Sequence, residues 1–295
     1  MTAAFLDDAL HLTREHADLY VEQVGPADAP AVLFLHGGPG ASSHPFRELL
    51  GDDLERYRMV YLDQRGGGRS YADAPFGLDE LADDAAAVLA ALRLPRATVL
   101  AHGFGASVAV RLAGRHPDRL RGQVWLNPWL SMPTLARTLW REALALSAAP
   151  SGTESTTQRE DLEAGGDPEA LVDEAFALVG AKPLLDALLF PDPASRLRLE
   201  HAAASVLLGP SESAGLDATW SVDVVAELPA CRAPVAVLLA TGDRTCFPDQ
   251  AELALGHLPH AMTALLDGGH HLYLDDPEAF LGALVEALAH AGAAT

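Results

Sequence analysis

The sequence predicts an α/β fold: a mostly parallel β-sheet with helices on both faces, interrupted by one helical insertion. Three observations predict it. Short, continuously apolar runs alternate with segments of helical period. Several of those runs lead straight into glycine-rich turns. The alternation then stops over residues 131–229 and resumes afterwards. Strands that are apolar throughout belong to sheets covered on both faces, and repeated β–α alternation makes such sheets parallel.

Taken in order, residues 17–24 (DLYVEQVG) alternate in polarity and read as a strand. Residues 31–35 (AVLFL) form a buried strand ending in HGGPG, a tight glycine turn. Residues 45–56 read as a helix, and 58–62 (RMVYL) as a buried strand followed by DQRGGGRS. Residues 78–93 have helical period and open with acids, at the positive end of the helix dipole. Strand 97–101, helix 104–116 and strand 122–126 complete the first half. The insertion carries helical stretches with polar, glycine- and proline-bearing breaks at 149–168 and 190–194. Strand 234–241, helix 249–258, strand 262–266 and helix 277–290 restore the rhythm. The expected organisation is therefore a core of residues 1–130 and 230–295 around an insertion of residues 131–229.

A chain of 295 residues suits one domain with a sizeable insertion. A formal net charge of −21 and a pI near 4.8 repel phosphate backbones and anionic membrane surfaces. Nucleic acid and membrane partners are excluded on that ground; the acidity is a solvated surface or draws cations inward. Two cysteines, Cys231 and Cys246, are too few for a disulfide framework and fit a reducing compartment. The start, MTAAFLDDALHL, has acids where a signal peptide needs basic residues, and no apolar run reaches membrane-spanning length. The expected location is cytoplasmic.

In such sheets chemistry sits at the C-terminal ends of strands. Four turns there stand out. His36-Gly37-Gly38-Pro39-Gly40 is either a turn that aims backbone N–H groups at a ligand or a plain tight turn. Asp63-Gln64-Arg65-Gly66-Gly67-Gly68-Arg69-Ser70 has polar side chains suited to tying loops together. Ala101-His102-Gly103-Phe104-Gly105 joins a strand to a helix. It has the small flanking residues of a nucleophile elbow, G-x-S-x-G, but Gly103 at its centre has no side chain. Asp243 and His270 follow successive strands, where a carboxylate can orient an imidazole and stabilise its cation. The order elbow, acid, histidine is that of an active site or its remnant.

HGGPG followed by DQRGGGRS, together with GDRT and GGHHLYLDDPEAF, resembles the proline iminopeptidase branch of the α/β-hydrolase fold. The likeness covers the core on both sides of the insertion. It implies that Asp243 is the triad acid and His270 the base, with His271 beside it. It implies an oxyanion hole from the N–H groups of Gly38 and Phe104, and an insertion that caps the site. In that family, cap acids bind a free α-amino group; the candidates are Glu154, Glu160, Asp161, Glu163, Glu169, Asp173 and Glu174. The implied ligand is a small molecule or short peptide.

The departure falls at Gly103, where the family pattern G-x-S-W-G has serine. A covalent acyl intermediate needs an oxygen or sulfur there. Gly103 is a natural loss of the nucleophile, an engineered knockout, or a sign that His270 activates water directly. No other residue takes the role. Ser107 lies a turn into the helix, Cys246 reads as a buried thiol, His102 as packing, and Asn127 is uncharged where some hydrolases keep their acid. No residue set has metal-ligand spacing and no phosphate loop follows Gly37-Gly38, so no metal or cofactor is implied.

Overall fold

A computed structural model describes residues 4–147, 166–204 and 214–294. Its centre is a nine-stranded sheet: β1 (Phe5–Arg14), β2 (Ala17–Pro26), β3 (Ala31–Leu35), β4 (Arg58–Leu62), β5 (Tyr71–Ala72), β6 (Ala97–His102), β7 (Leu120–Leu126), β8 (Val235–Ala240) and β9 (Met262–Leu266). The spatial order is β1-β2-β4-β3-β6-β7-β8-β9, with β5 beside β2. The pairs from β4 to β9 are parallel, and the β1–β2, β2–β4 and β2–β5 pairs are antiparallel.

The period-2 alternation of strands splits the core into two layers. Leu33, Leu35, Val60, Leu62, Val99 and Trp125 face helices α2 (Leu78–Ala91) and α3 (Gly105–Arg115). Val32, Phe34, Met59, Tyr61, Leu100 and Val124 face α1 (His44–Leu50) and α9 (Pro277–His290). Local chemistry sets the helix starts. Glu80 reaches back to the Gly77 N–H at 2.9 Å to open α2, and Asp276 caps α9 by accepting from Ala279 N at 3.0 Å. Between β7 and β8 lie α4 (Met132–Leu146), α5 (Pro168–Val179), α6 (Ala181–Leu189) and α7 (Pro193–Ala204). α8 (Asp249–His257) joins β8 to β9. No described helix is long and apolar enough to cross a membrane.

Two expectations are corrected. Residues 5–14 form an edge strand where none was expected. No side chain in it is fully buried and only Leu10 and Leu12 alternate on a face that packs against the core, too short a run to stand out; the backbone register with β2 makes the full strand. The expected helix 45–56 ends at Leu50; Gly51 donates to Arg47 O and a 3-10 turn covers Asp52–Leu54.

The DQRGGGRS turn does tie its neighbours together. Asp63 is fully buried and accepts from Ser43 N (2.8 Å), Ser43 Oγ (2.6 Å), Arg69 N (2.9 Å) and Arg69 Nε (2.7 Å). Ser70 Oγ donates to Asp63 O and accepts from Tyr20 N. Arg65 forks onto buried Asp84 of α2 at 2.6 and 2.8 Å. Gln64 N donates to His36 Nε2 at 2.9 Å and Gln64 Nε2 to His36 O at 2.8 Å, locking this turn to HGGPG.

Burial opposes ionisation of Asp63, but the Arg69 hydrogen bond and the nearby positive charge overcome it and pull the carboxyl from 3.8 to about 2. Because the folded value is the lower one, the stabilisation is present above pH ~4 and is lost as pH falls towards ~2. A shift of that size is worth about 2 kcal/mol. Asp63→Asn should therefore destabilise the protein by roughly that amount or more at neutral pH, with the gap to the parent narrowing between pH ~4 and ~2. Urea denaturation across that range measures it; a gap independent of pH would refute the ionic account.

Candidate functional site

The site forms at the C-terminal ends of β6, β8 and β9. The β6–α3 turn is sharp. Gly103 has φ +51°, donates to Leu126 O at 3.0 Å, and accepts from Ala106 N and Trp129 N. Left-handed backbone of this kind favours glycine. Its flank is equally constrained: a Cβ on Gly105 would lie 2.3 Å from Leu35 O, so α3 starts hard against the end of β3.

Asp243 and His270 meet. His270 Nδ1 lies 2.7 Å from Asp243 Oδ2, and both side chains are buried. The other carboxylate oxygen accepts from Thr245 N (2.9 Å), Thr245 Oγ1 (2.6 Å) and, at 3.3 Å, Cys246 N. His270 is anchored through its backbone: its N–H donates to Leu189 O at 2.8 Å. Its carbonyl accepts from His102 Nε2 (3.0 Å) and Asn127 Nδ2 (2.9 Å). The Trp129 indole lies flat on the imidazole, with centroids 4.7 Å apart and planes at 23°, and its Nε1–H donates to Thr245 Oγ1.

A carboxylate accepts, so in the neutral ring the His270 proton sits on Nδ1 and Nε2 presents its lone pair. Nε2 points at the turn. A Cβ built on Gly103 would lie 3.0 Å from Nε2 and 3.3 Å from Cε1, with Gly37 Cα at 3.8 Å. Any side chain at 103 would thus meet His270 first. Gly38 has φ +117°, and among the described residues neither the Gly38 N–H nor the Phe104 N–H has a protein acceptor.

A cavity of about 360 Å³ opens beside this centre, lined among others by Gly37, Gly38, His102, Trp129, His270 and His271. A second, of about 230 Å³, is lined by Gln64, Phe76, Phe104 and Leu216, and shares His36 and Gly40 with the first.

The remaining candidates separate. The His271 Nδ1 pairs with Tyr273 OH at 3.0 Å rather than with Asp243. Ser107 Oγ donates to Trp129 O at 2.7 Å from within α3, bracing the turn. Asn127 spans from Ala240 N to the Gly269 and His270 carbonyls. Cys246 is buried, and burial, then the charge of Asp243, raise its thiol well above the ordinary range. Glu169, Asp173 and Glu174 are exposed on α5, while Glu154, Glu160, Asp161 and Glu163 lie outside the described residues. Among the described residues no three His, Cys, Asp or Glu side chains are placed to hold a metal ion. Trp129 and Thr245 were not singled out in the sequence; their only signal is position, just past a strand end and two residues after the acid.

The α/β hydrolase fold family profile matches residues 30–150, and sheet and site together define the chain as an α/β hydrolase. A crystal structure of a proline iminopeptidase-related protein from Thermus thermophilus superposes with a TM-score of 0.79 at 35% identity. That likeness covers 97% of this chain and 99% of the other. A protein of Pseudomonas syringae pv. syringae named "Putative carbamate hydrolase RutD" is 31% identical, over 88% of this chain and 93% of its own. A proline iminopeptidase of Neisseria meningitidis is 35% identical over 126 residues, 41% of this chain and 39% of its own. The chain belongs to the proline iminopeptidase-related family of α/β hydrolases.

Gly103→Ala should destabilise the fold by about 1–3 kcal/mol, because a Cβ is disfavoured at this φ and crowds His270. Gly103→Ala should cost less in a His270→Ala background, where the steric part is gone. Denaturation midpoints of the parent, both single variants and the double variant check this; a neutral or stabilising Gly103→Ala in the parent would refute it.

Proposed function

We propose that this chain is a hydrolase-fold protein for small peptides, amides or esters, in which covalent acyl transfer is disabled because Gly103 holds the nucleophile position. The observation that carries the reading is the lone pair of His270 Nε2 aimed at a side-chain-free turn. In this reading Asp243 orients the imidazole and stabilises its cation. The amides of Gly38 and Phe104 face the developing oxyanion. The segment 131–229 acts as a cap, since its Leu189, Leu199 and Ala203 line the cavity.

Turnover then needs water in place of serine. The water oxygen bonds to the carbonyl carbon while its proton passes to His270 Nε2. The same proton goes on to the leaving group as the carbon–heteroatom bond breaks. Such a site without its nucleophile retains roughly 10³–10⁴-fold catalysis over water in serine proteases, so weak activity is the expectation.

A second reading is a pocket that binds a small ligand without turnover. The 3.0 Å between Nε2 and the built Cβ favours it, because it leaves little room between imidazole and turn. The free cysteines and the charge of −21 support a cytoplasmic protein that avoids nucleic acid.

The test is turnover of proline arylamides and short-chain esters by the parent, by Gly103→Ser and by His270→Ala. Weak or no turnover in the parent, with a gain in Gly103→Ser that is lost on adding His270→Ala, supports the proposal. Parent turnover at ordinary hydrolase rates, or a gain in Gly103→Ser that survives loss of His270, refutes it.

A further inference from the structure

The smaller cavity, of about 230 Å³, holds a polar group that neither the fold nor the reaction uses. Three segments wall it: the HGGPG turn, the turn after β4, and the end of the insertion through Leu216 and Thr219. The third segment is tied down by its backbone. Ala214 N donates to Ala72 O at 2.9 Å and Asp217 N to Phe76 O at 2.8 Å, with a parallel bridge between Phe76 and Leu216. Phe76, Leu81 and Phe104 add apolar surface. These walls are set by protein contacts alone, so a ligand finds the space already shaped.

Most polar side chains in these walls serve the fold. His36 uses both ring nitrogens: Nε2 accepts from Gln64 N, and Nδ1 donates to Gly37 O at 2.7 Å. Arg65 forks onto Asp84, and Thr219 Oγ1 donates to Leu216 O at 3.0 Å. Gln64 differs. Its side-chain amide donates to His36 O, which can only accept, so nitrogen and oxygen are told apart by that partner. The other end of the amide, Oε1, has no partner among the described residues, although Gln64 is only 5% exposed. A buried acceptor without a donor is unfavourable, and a ligand that brings the donor gains what the empty wall lacks.

Position says which part of a substrate that ligand group is. In the hydrolytic reading the leaving group takes its proton from His270 Nε2, so it stands in the larger cavity, which His270 lines. The smaller cavity is lined by Phe104, whose N–H faces the oxyanion in that reading, and it shares His36 and Gly40 with the larger one. A Cβ on Gly40 would meet nothing within 4 Å, so the space beside this shared residue is open. We propose that the smaller cavity takes the acyl group of the substrate, and that Gln64 Oε1 accepts a hydrogen bond from a hydroxyl or amide N–H on that group, which selects donor-bearing acyl groups such as 2-hydroxyacyl. The proposal rests on the reading of Asp243 and His270 as a hydrolase site and names the substrate class of that site.

The probes are the 4-nitroanilides of lactic, isobutyric and 2-methoxypropanoic acids. They share one leaving group. The second replaces the hydroxyl by a methyl of similar shape, and the third keeps the oxygen without its proton. All are uncharged, so acids elsewhere in the molecule do not enter the comparison. Dissociation constants for the parent are measured by calorimetry, and kcat/KM values with Gly103→Ser. The lactic probe should be favoured about tenfold over both others in binding and in turnover. Gln64→Met should bring that ratio close to one, while Gln64→Glu, which keeps an acceptor, should retain it. Because each ratio is read within one protein, a general loss of activity in a Gln64 variant does not alter it. Should such a variant fail to fold, the methoxy probe still tests the donor. Equal or weaker binding of the lactic probe, or a preference that survives Gln64→Met, overturns the proposal. If Gly103→Ser turns over the probes through His270 without preferring lactic, the hydrolase reading stands and this inference falls. If no probe binds the parent and none is turned over by Gly103→Ser, both fall together.

Discussion

The buried carboxylate of Asp63 holds the turns around the site together. Its carboxylate accepts from the backbone and side chains of the Ser42–Ser43 and Arg69 segments, and its own carbonyl accepts from Ser70. An acid with no access to water is tolerated only when charge and hydrogen bonds replace hydration, and Arg69 and Ser43 do so. The consequence reaches further than stability. Asp63 fixes the turn after β4, and Gln64 in that turn grips His36 from both its ring and its carbonyl. His36 begins the HGGPG turn, whose Gly37 lies within contact distance of the side-chain position at Gly103. The glycine turn is thus placed by a salt bridge on the far side of it.

The same logic orders the other half. Asp243 is wired to Thr245, Thr245 to Trp129, and Trp129 lies on the ring that Asp243 holds. The insertion joins in through its backbone: Leu189 O receives His270 N and Leu188 O receives Arg244 N. Asp275 adds a clip, accepting from Gly269 N at 2.7 Å and from Ser195 of α7 at 2.5 Å. The acid loop, the histidine loop and the insertion are therefore one hydrogen-bonded unit, and the position of His270 depends on helices that lie far from it in sequence.

How much of this was legible in the sequence follows from what kind of signal each part leaves. The central strands are apolar throughout, so β3 and β4 were placed to the residue. Glycine punctuation marked the turns that converge on the candidate site, and chain order singled out Asp243 and His270, which meet there. Edge strand β1 left only a weak trace, because one face is only partly buried, through Leu10 and Leu12, and the rest of its order comes from backbone pairing with β2. Trp129 and Thr245 were invisible because neither type has a distinctive spacing. Their role is created by three strand ends converging, which only the fold supplies. His102 read as packing and is indeed buried, yet it also lines the cavity; tautomer and orientation are not properties of a sequence.

The presence of the Asp243–His270 pair has to be weighed against what folding alone requires. A buried carboxylate stripped of its imidazole would be left with an unpaired oxygen, at a cost of several kcal/mol. The pair therefore holds the fold together whether or not the site turns over substrate, and its integrity alone says little about activity. The discriminating atom is His270 Nε2. Folding is already served by Nδ1, by the backbone anchors and by Trp129 stacking, none of which needs a free lone pair on the opposite nitrogen. A nitrogen that is turned towards Gly103 and beside a cavity is placed for a ligand proton. Whether that proton comes from water or from a bound donor separates a weak hydrolase from a binding pocket, and both readings make the same demand on Nε2.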